Sequence, residues 1–415
     1  MLARGSEAPL ESNPAATARL GPTRVAERLQ VLDLWRGFAL LGVVIANFIA
    51  LNDYFFTATR AASLTTFDLD WKTRLAVHVL VSNKFNTIFT FLFGMGLAII
   101  AERAARANQQ PTPFILRRML VLLIIGWLNF LLVFPGELLH VYGICGLALL
   151  PLRRFSNCAL VVAGLIAALL PRLIWDEWPL FSTHLFGEPL ALAQATATGP
   201  FTDAAIEARR LIVHDGSWRQ LMTNNLSFAV DFELDVGHRI PQALYFFGRM
   251  LLGFAFWRSH SLQKVIEINQ RAPWICGTAL GLGLGMALIG ALVPAHPLGT
   301  AQHFWIDAMR QVAIIVSAAA YLLLAALVAQ SSSFRGLVVS LCAAGRLSLT
   351  NYLLQGVAIL LVLNGPGLRL AGNVGPTLLV PVALTVYGTQ VAFSRWVVGR
   401  YQQGPFEWLW RQLTY

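Results

Sequence analysis

Ten apolar runs punctuate this sequence, and no other feature constrains its fold as tightly. They fall at 34–51, 84–101, 117–134, 138–152, 158–175, 241–257, 272–293, 306–329, 350–364 and 377–398. Each approaches the roughly 20 residues that carry an α-helix across a bilayer core. No water reaches backbone polar groups in the hydrocarbon, so runs of this kind must be helical. The composition agrees: 56% of residues are hydrophobic and 13% charged, where a soluble chain carries about 25% charged residues. The expectation is an all-α, polytopic transmembrane helix bundle of about ten spans in the cytoplasmic (inner) membrane. The shortest run, 138–152, suits a re-entrant or polar-lined helix, and the apolar piece at 336–345 is too short to cross alone.

Orientation follows from charge. With the N-terminus placed in the cytoplasm, Lys and Arg number 18 on the inner side and 9 on the outer. Positive residues concentrate on the cytoplasmic side of membrane proteins, so both termini are expected inside. The formal charge of +10 therefore reads as orientation, with no nucleic acid as partner. Five segments result: a disordered cytoplasmic tail (1–30), N-terminal spans (31–175), an extracytoplasmic loop (176–240), C-terminal spans (241–398) and a cytoplasmic interfacial helix (399–415). The tail lacks the apolar core of a secretory signal. The loop contains FTDAAIEARRLIVHD, patterned as an amphipathic helix, and the closing GPFEWLWRQLTY has tryptophans suited to a membrane surface. The four cysteines form no CxxC pair and read as packed small hydrophobes. No metal site is expected.

Polar residues inside the runs are the candidates for function, because intramembrane polar groups face an interior or a cavity. In LDLWRGFALLGVVIANF, Asp33 and Arg36 are three residues apart and meet on a helix. Asn47 lies eleven residues further, about 16 Å along the same face. The three form a polar stripe that either guides a ligand or combines a snorkelling arginine with an interhelical amide. Lys84 opens the second run among Asn and Thr residues, with the same two readings. In FPGELLHVYGICG, Glu137 and His140 are three apart, a spacing that lets a carboxylate orient an imidazole as a general base. The alternative is a capping glutamate beside an interfacial histidine. His238, in DFELDVGHRI, is a second candidate base. GRLSLTNYLLQG places Ser348, Asn351 and Gln355 on one polar helical face below Arg346, as helix-to-helix bonding or as a ligand contact.

LDLWRGFALLGVVIANF, KFNTIFTFLFGMGLA, GELLHVYGICGL, GRLSLTNYLLQ and GPFEWLWRQLT, in this order from about residue 28 to 415, resemble domain-of-unknown-function family 418, the YeiB-like membrane proteins. The first stretch is also similar to the acyltransferase-3 membrane enzymes, which carry an arginine and a histidine there. Arg36 matches the arginine, but Asn47 stands near the place of the histidine. The heparan-glucosaminide N-acetyltransferase family has an asparagine at that place and its catalytic histidine eleven residues on, where this chain has Ala58.

The resemblance implies an acyltransferase-like protein that moves an acyl group from cytoplasmic acyl-CoA to a glycan or lipid acceptor at the outer face. Asp33, Arg36, Lys84, Arg346, Asn351 and Gln355 are then the candidate co-substrate contacts, and Asn47, Glu137, His140 and His238 the candidate catalytic groups. The other readings are a transporter or permease for a small amphiphile, marked by broken helices, and a non-catalytic membrane scaffold. Oligomeric state is open.

Overall fold

The computed structural model describes residues 30–54, 57–186, 203–230, 236–262, 270–293, 301–401 and 403–414. The tail 1–30 therefore lies outside the described residues apart from Gln30. Among them every regular element is a helix. The first seven are α1 (Gln30–Asp53), α2 (Ala58–Ala62), α3 (Phe67–Leu80), α4 (Lys84–Arg106), α5 (Pro111–Leu132), α6 (Leu139–Leu152) and α7 (Asn157–Phe186). Then come α8 (Asp203–Asp215), α9 (Trp218–Phe228), α10 (Val236–Arg258), α11 (Ala272–Leu292) and α12 (Ala301–Gln330). The last four are α13 (Arg335–Arg346), α14 (Ser348–Leu363), α15 (Pro376–Arg400) and α16 (Pro405–Thr414).

Each apolar run lies on a helix. Among the described residues six helical stretches are long and apolar enough to cross a membrane, and the pair α13–α14, bent by 83° at Leu347, makes a seventh if taken as one span. The remaining runs map to α6, the first half of α7, and α10. One departure has a local cause. The stretch expected as an outer loop, 52–74, instead starts α3, whose first turn carries Asp68 and Asp70; carboxylates there favour the helix dipole. The apolar piece 336–345, too short to cross alone, forms most of α13, the first arm of the bent pair.

α1 is the central helix, packed by α4, α12, α13, α14 and α15. Its contact with α13 depends on two glycines. A Cβ on Gly37 would overlap the Leu341 carbonyl, and one on Gly345 would overlap that of Asp33. Helices in lipid pack by this close backbone approach because no hydrophobic force draws them together. Polar side chains add interhelical bonds: Trp35 donates to the Leu322 carbonyl (2.9 Å) and Tyr387 to that of Gly37 (2.6 Å). The outer surface is apolar. Leu116, Leu120, Ile124 and Leu128, spaced by four on α5, are all exposed, which is the lipid-facing stripe of a membrane helix. The chain is a multi-pass membrane protein.

Candidate functional site

The sequence candidates separate into two centres at opposite ends of α1, whose 24 residues span about 36 Å. At its N-terminal end, Arg36 pairs with Asp33 at 3.6 Å. α13 brings Arg346 to this end, where Gly345 rests on the Asp33 backbone and Cys342 feels the charges of both Asp33 and Arg346. Asn351 and Gln355 are fully buried one and two turns into α14. Asn351 donates to the Ala344 carbonyl (3.0 Å) and to Ser394 Oγ (2.9 Å). Gln355 donates to the Leu40 carbonyl (3.3 Å) and to Gln390 Oε1 (3.2 Å). Their polar face thus ties α14 to α13, α1 and α15. Asn47 is half-buried eleven residues from Arg36.

Glu407 meets α14 as well. From α16 it accepts from the amides of Leu349 (2.7 Å) and Thr350 (3.0 Å) and from the Thr350 hydroxyl. It therefore caps the N-terminus of a helix 57 residues away in sequence, where free N–H groups and the dipole favour a carboxylate. Burial raises its carboxyl above the usual carboxylate range, against these hydrogen bonds.

The second centre is a cavity of about 910 Å³ at the other end of α1. α3, the start of α4, the turn after α5, the start of α10, the end of α11 and α12 supply its wall. Lys84 and Glu137 line it; Arg36, Asn47, His140, Arg346, Asn351 and Gln355 do not. Lys84 follows Asn83, whose φ of 63° breaks the helix between α3 and α4. Asn tolerates this left-handed conformation better than most residues. The break leaves the His78 carbonyl open, and Lys84 Nζ donates to it (3.2 Å) while staying 1% exposed. Arg74 and Arg310, also on the wall, pair with Asp53 and with Asp307 (2.9 Å).

Glu137 and His140 are both fully buried. The turn at 134–138 folds onto α5 because Gly126 has no side chain: a Cβ there would overlap the His140 backbone and come within 3.0 Å of Glu137 Oε2. His140 Nδ1–H donates to Glu137 Oε2 (2.9 Å), and the Leu139 amide donates to Oε1. The imidazole stands against Trp127 (4.9 Å between centroids) and edge-on to Phe130 (5.7 Å). Tyr352 Oη accepts from the Leu138 amide (3.1 Å), fixing the turn to α14. Burial lifts the Glu137 carboxyl above the ordinary range, partly offset by its bonds to His140 and Leu139. So Glu137 is a residue of the cavity wall and His140 is not, while the Glu137 carboxylate itself is fully buried against the imidazole. His238 is a residue of α10, and its side chain lies outside the described residues, as do residues 231–235.

Arg249 is a buried charge that belongs to none of the sequence motifs above. It is 1% exposed, stacks on Tyr245 and donates to Thr87 Oγ1 (2.9 Å) and the Tyr245 carbonyl (2.8 Å). A charge inside the run 241–257 was the available signal. Among the described residues, no three His, Cys, Asp or Glu side chains gather to hold a metal ion.

Comparison with known proteins finds a family model and several relatives of similar length. Residues 256–415 match the family described as "Protein of unknown function (DUF418)". The chain is 24% identical to "Uncharacterized protein YxaH" of Bacillus subtilis (strain 168), over 95% of this chain and 96% of that one. It is 26% identical to "Uncharacterized protein YeiB" of Escherichia coli (strain K12), over 94% and 96%. A similar match, 27% over 95% and 96%, is the "Uncharacterized 39.9 kDa protein in amylase 3'region" of Bacillus acidopullulyticus. No solved structure matches. The C-terminal 160 residues thus match the DUF418 family, and almost the whole chain is similar to YxaH and YeiB.

Proposed function

We propose that this chain is an acyltransferase-like membrane protein whose acceptor occupies the cavity, with Glu137 as general base and His140 as the residue that positions it. The observation carrying the proposal is a buried carboxylate held by an imidazole at 2.9 Å on a residue that walls a cavity of about 910 Å³. Elevated carboxyl groups suit proton transfer near neutral pH. The excess of Lys and Arg on the N-terminal side supports a cytoplasmic N-terminus, and the cavity then opens to the outside. Acyl-CoA binds at the opposite end, its phosphates on Arg36 and Arg346, and the thioester follows the stripe toward Asn47. Glu137 takes the acceptor hydroxyl proton as its oxygen adds to the thioester carbon. The C–S bond then breaks, and the CoA thiolate leaves with a proton. Asn47 donates to the carbonyl oxygen as negative charge develops.

The test uses purified protein in nanodiscs with acyl-CoA and membrane-lipid acceptors, following CoA release. Parent activity with loss of at least about 100-fold in Glu137→Gln supports the proposal. Absence of acyl-CoA binding by the parent, or full activity in Glu137→Gln, refutes it.

A transporter for an amphiphile is the second reading, favoured by two helix breaks, at 81–83 beside Lys84 and at Leu347. Transporters place binding sites at such breaks. Uptake into proteoliposomes without CoA release would establish it over acyl transfer.

A further inference from the structure

We infer that the cavity holds the head of an anionic, phosphate-bearing amphiphile, with Lys84 as its counter-charge. The inference rests on the reading of the cavity as the acceptor site and adds the acceptor's chemical class.

Charge is the first reason. Among the described residues four cationic side chains, Arg74, Lys84, Arg239 and Arg310, line the cavity against two carboxylates, Glu137 and Asp307. Arg74 and Arg310 are each neutralised by an aspartate. Lys84 is different: it is buried, it forms no ion pair among the described residues, and its bond goes to a backbone carbonyl. An ammonium has three donors, so two remain for a ligand. Burial of an uncompensated charge is costly, and an anion in the adjoining cavity removes that cost.

The helix start beside it is the second reason. Asn83 makes no side-chain cap on α4, and no acidic residue stands in the first turn. The N–H groups and dipole of this 23-residue helix favour an anion at the place where Lys84 does.

Unanswered polar atoms on the wall are the third. Gln311 Oε1 and the Tyr245 hydroxyl are buried and lack a hydrogen-bond partner, and both residues line the cavity. Buried polar groups are rarely left unpaired in folded proteins. Tyr245 donates to an anionic oxygen; Gln311 accepts from a hydroxyl of the head. A neutral glycan head would satisfy these two and leave Lys84 uncompensated. Trp71, Leu75, Phe246 and Ile314 supply apolar wall for the lipid portion.

The experiment uses the full chain in phosphatidylcholine nanodiscs with or without phosphatidylglycerol, and reads retained lipid by native mass spectrometry. The parent should prefer phosphatidylglycerol by about tenfold or more, the effect of one charge-assisted hydrogen bond. Lys84→Met should abolish the preference and Lys84→Arg should keep it. Inorganic phosphate is the second arm: competition by phosphate alone identifies the anion as the recognised group, and competition only by lipid identifies the whole amphiphile, both in support. No preference in the parent, or an undiminished one in Lys84→Met, overturns the inference. Should Lys84→Met fail to fold, the pair Tyr245→Phe and Gln311→Leu decides, with at least a threefold loss expected and no loss overturning it. Glu137→Gln separates the two readings. It should keep the lipid preference whatever it does to CoA release, so transfer that survives in Glu137→Gln defeats the proposed chemistry and leaves the binding inference standing.

Discussion

Replacing His140 by Phe isolates the bond that holds Glu137. The ring of the variant keeps the stacking volume between Trp127 and Phe130 and removes Nδ1, the donor 2.9 Å from Glu137 Oε2. Oε2 is then left with the long contact from the His140 amide at 3.4 Å, while Oε1 keeps the Leu139 amide. One hydrogen bond to a charged, buried group is worth about 1.5–3 kcal/mol, so His140→Phe should destabilise by that amount. Glu137→Gln alone should cost about 1 kcal/mol or less, because its amide oxygen still accepts from Leu139 and its nitrogen can donate to the imidazole.

The two changes should not add. What His140→Phe exposes is a carboxylate short of a donor, and Glu137→Gln removes that carboxylate. The double variant should therefore be more stable than the sum of the singles by more than about 0.5 kcal/mol, the limit within which independent sites add. Reversible unfolding in mixed micelles measures all four corners of the cycle. The pH dependence supplies a sign. The Glu137 carboxyl sits above its ordinary 4.5 in the folded protein, so its contribution to stability is full below 4.5 and lost as pH rises through the raised value. Loss of the His140 donor raises the carboxyl further, and the deficit of His140→Phe should shrink as pH falls toward that window. Costs that add within error, or a deficit that grows on acidification, would refute the argument that the pair acts as a unit.

Gly126→Ala should displace the turn, since its methyl meets the His140 backbone; a cost of about 1–3 kcal/mol and lost CoA release are expected, and unchanged stability would show that the turn yields freely. Glu407→Ala removes the cap on α14 and should cost about 0.5–2 kcal/mol, visible as faster hydrogen exchange at Leu349 and Thr350 and not at Ile359. Gly345→Leu should separate α13 from α1 and lower thermal stability by more than Gly336→Leu, whose added Cβ meets nothing within 4 Å.

The legible part of this chain was its local part. Apolar length alone located the helices that carry the ten apolar runs, and the i,i+3 spacing alone announced the Asp33–Arg36 and Glu137–His140 pairs, which form at 3.6 and 2.9 Å. Nothing local reveals which member of a pair lines a cavity. For Glu137 that depends on walls from α3, α10 and α12, up to 177 residues away if Ile314 is taken as the far wall. Glu407 teaches the same lesson from the other side. Its place in the first turn of α16 favours service to its own helix, yet its oxygens meet the amides of α14. A carboxylate near one helix N-terminus is drawn to any other it can reach, and sequence spacing does not record reach.

Lys84 shows where this reasoning gains force. Its sequence setting, a lysine at the mouth of an apolar run, suits snorkelling to lipid phosphates as well as burial. Packing decides: the side chain turns inward to the His78 carbonyl released by the break at Asn83, and is 1% exposed. A snorkelling lysine needs no protein around its head; a buried one needs an anion or a reason to be neutral. The helix break therefore does two things at once. It frees the carbonyl that orients Lys84, and it leaves the α4 N-terminus without a side-chain cap. Both place positive charge on the same cavity, which is why the ligand class follows more directly from this break than from the polar stripe on α1.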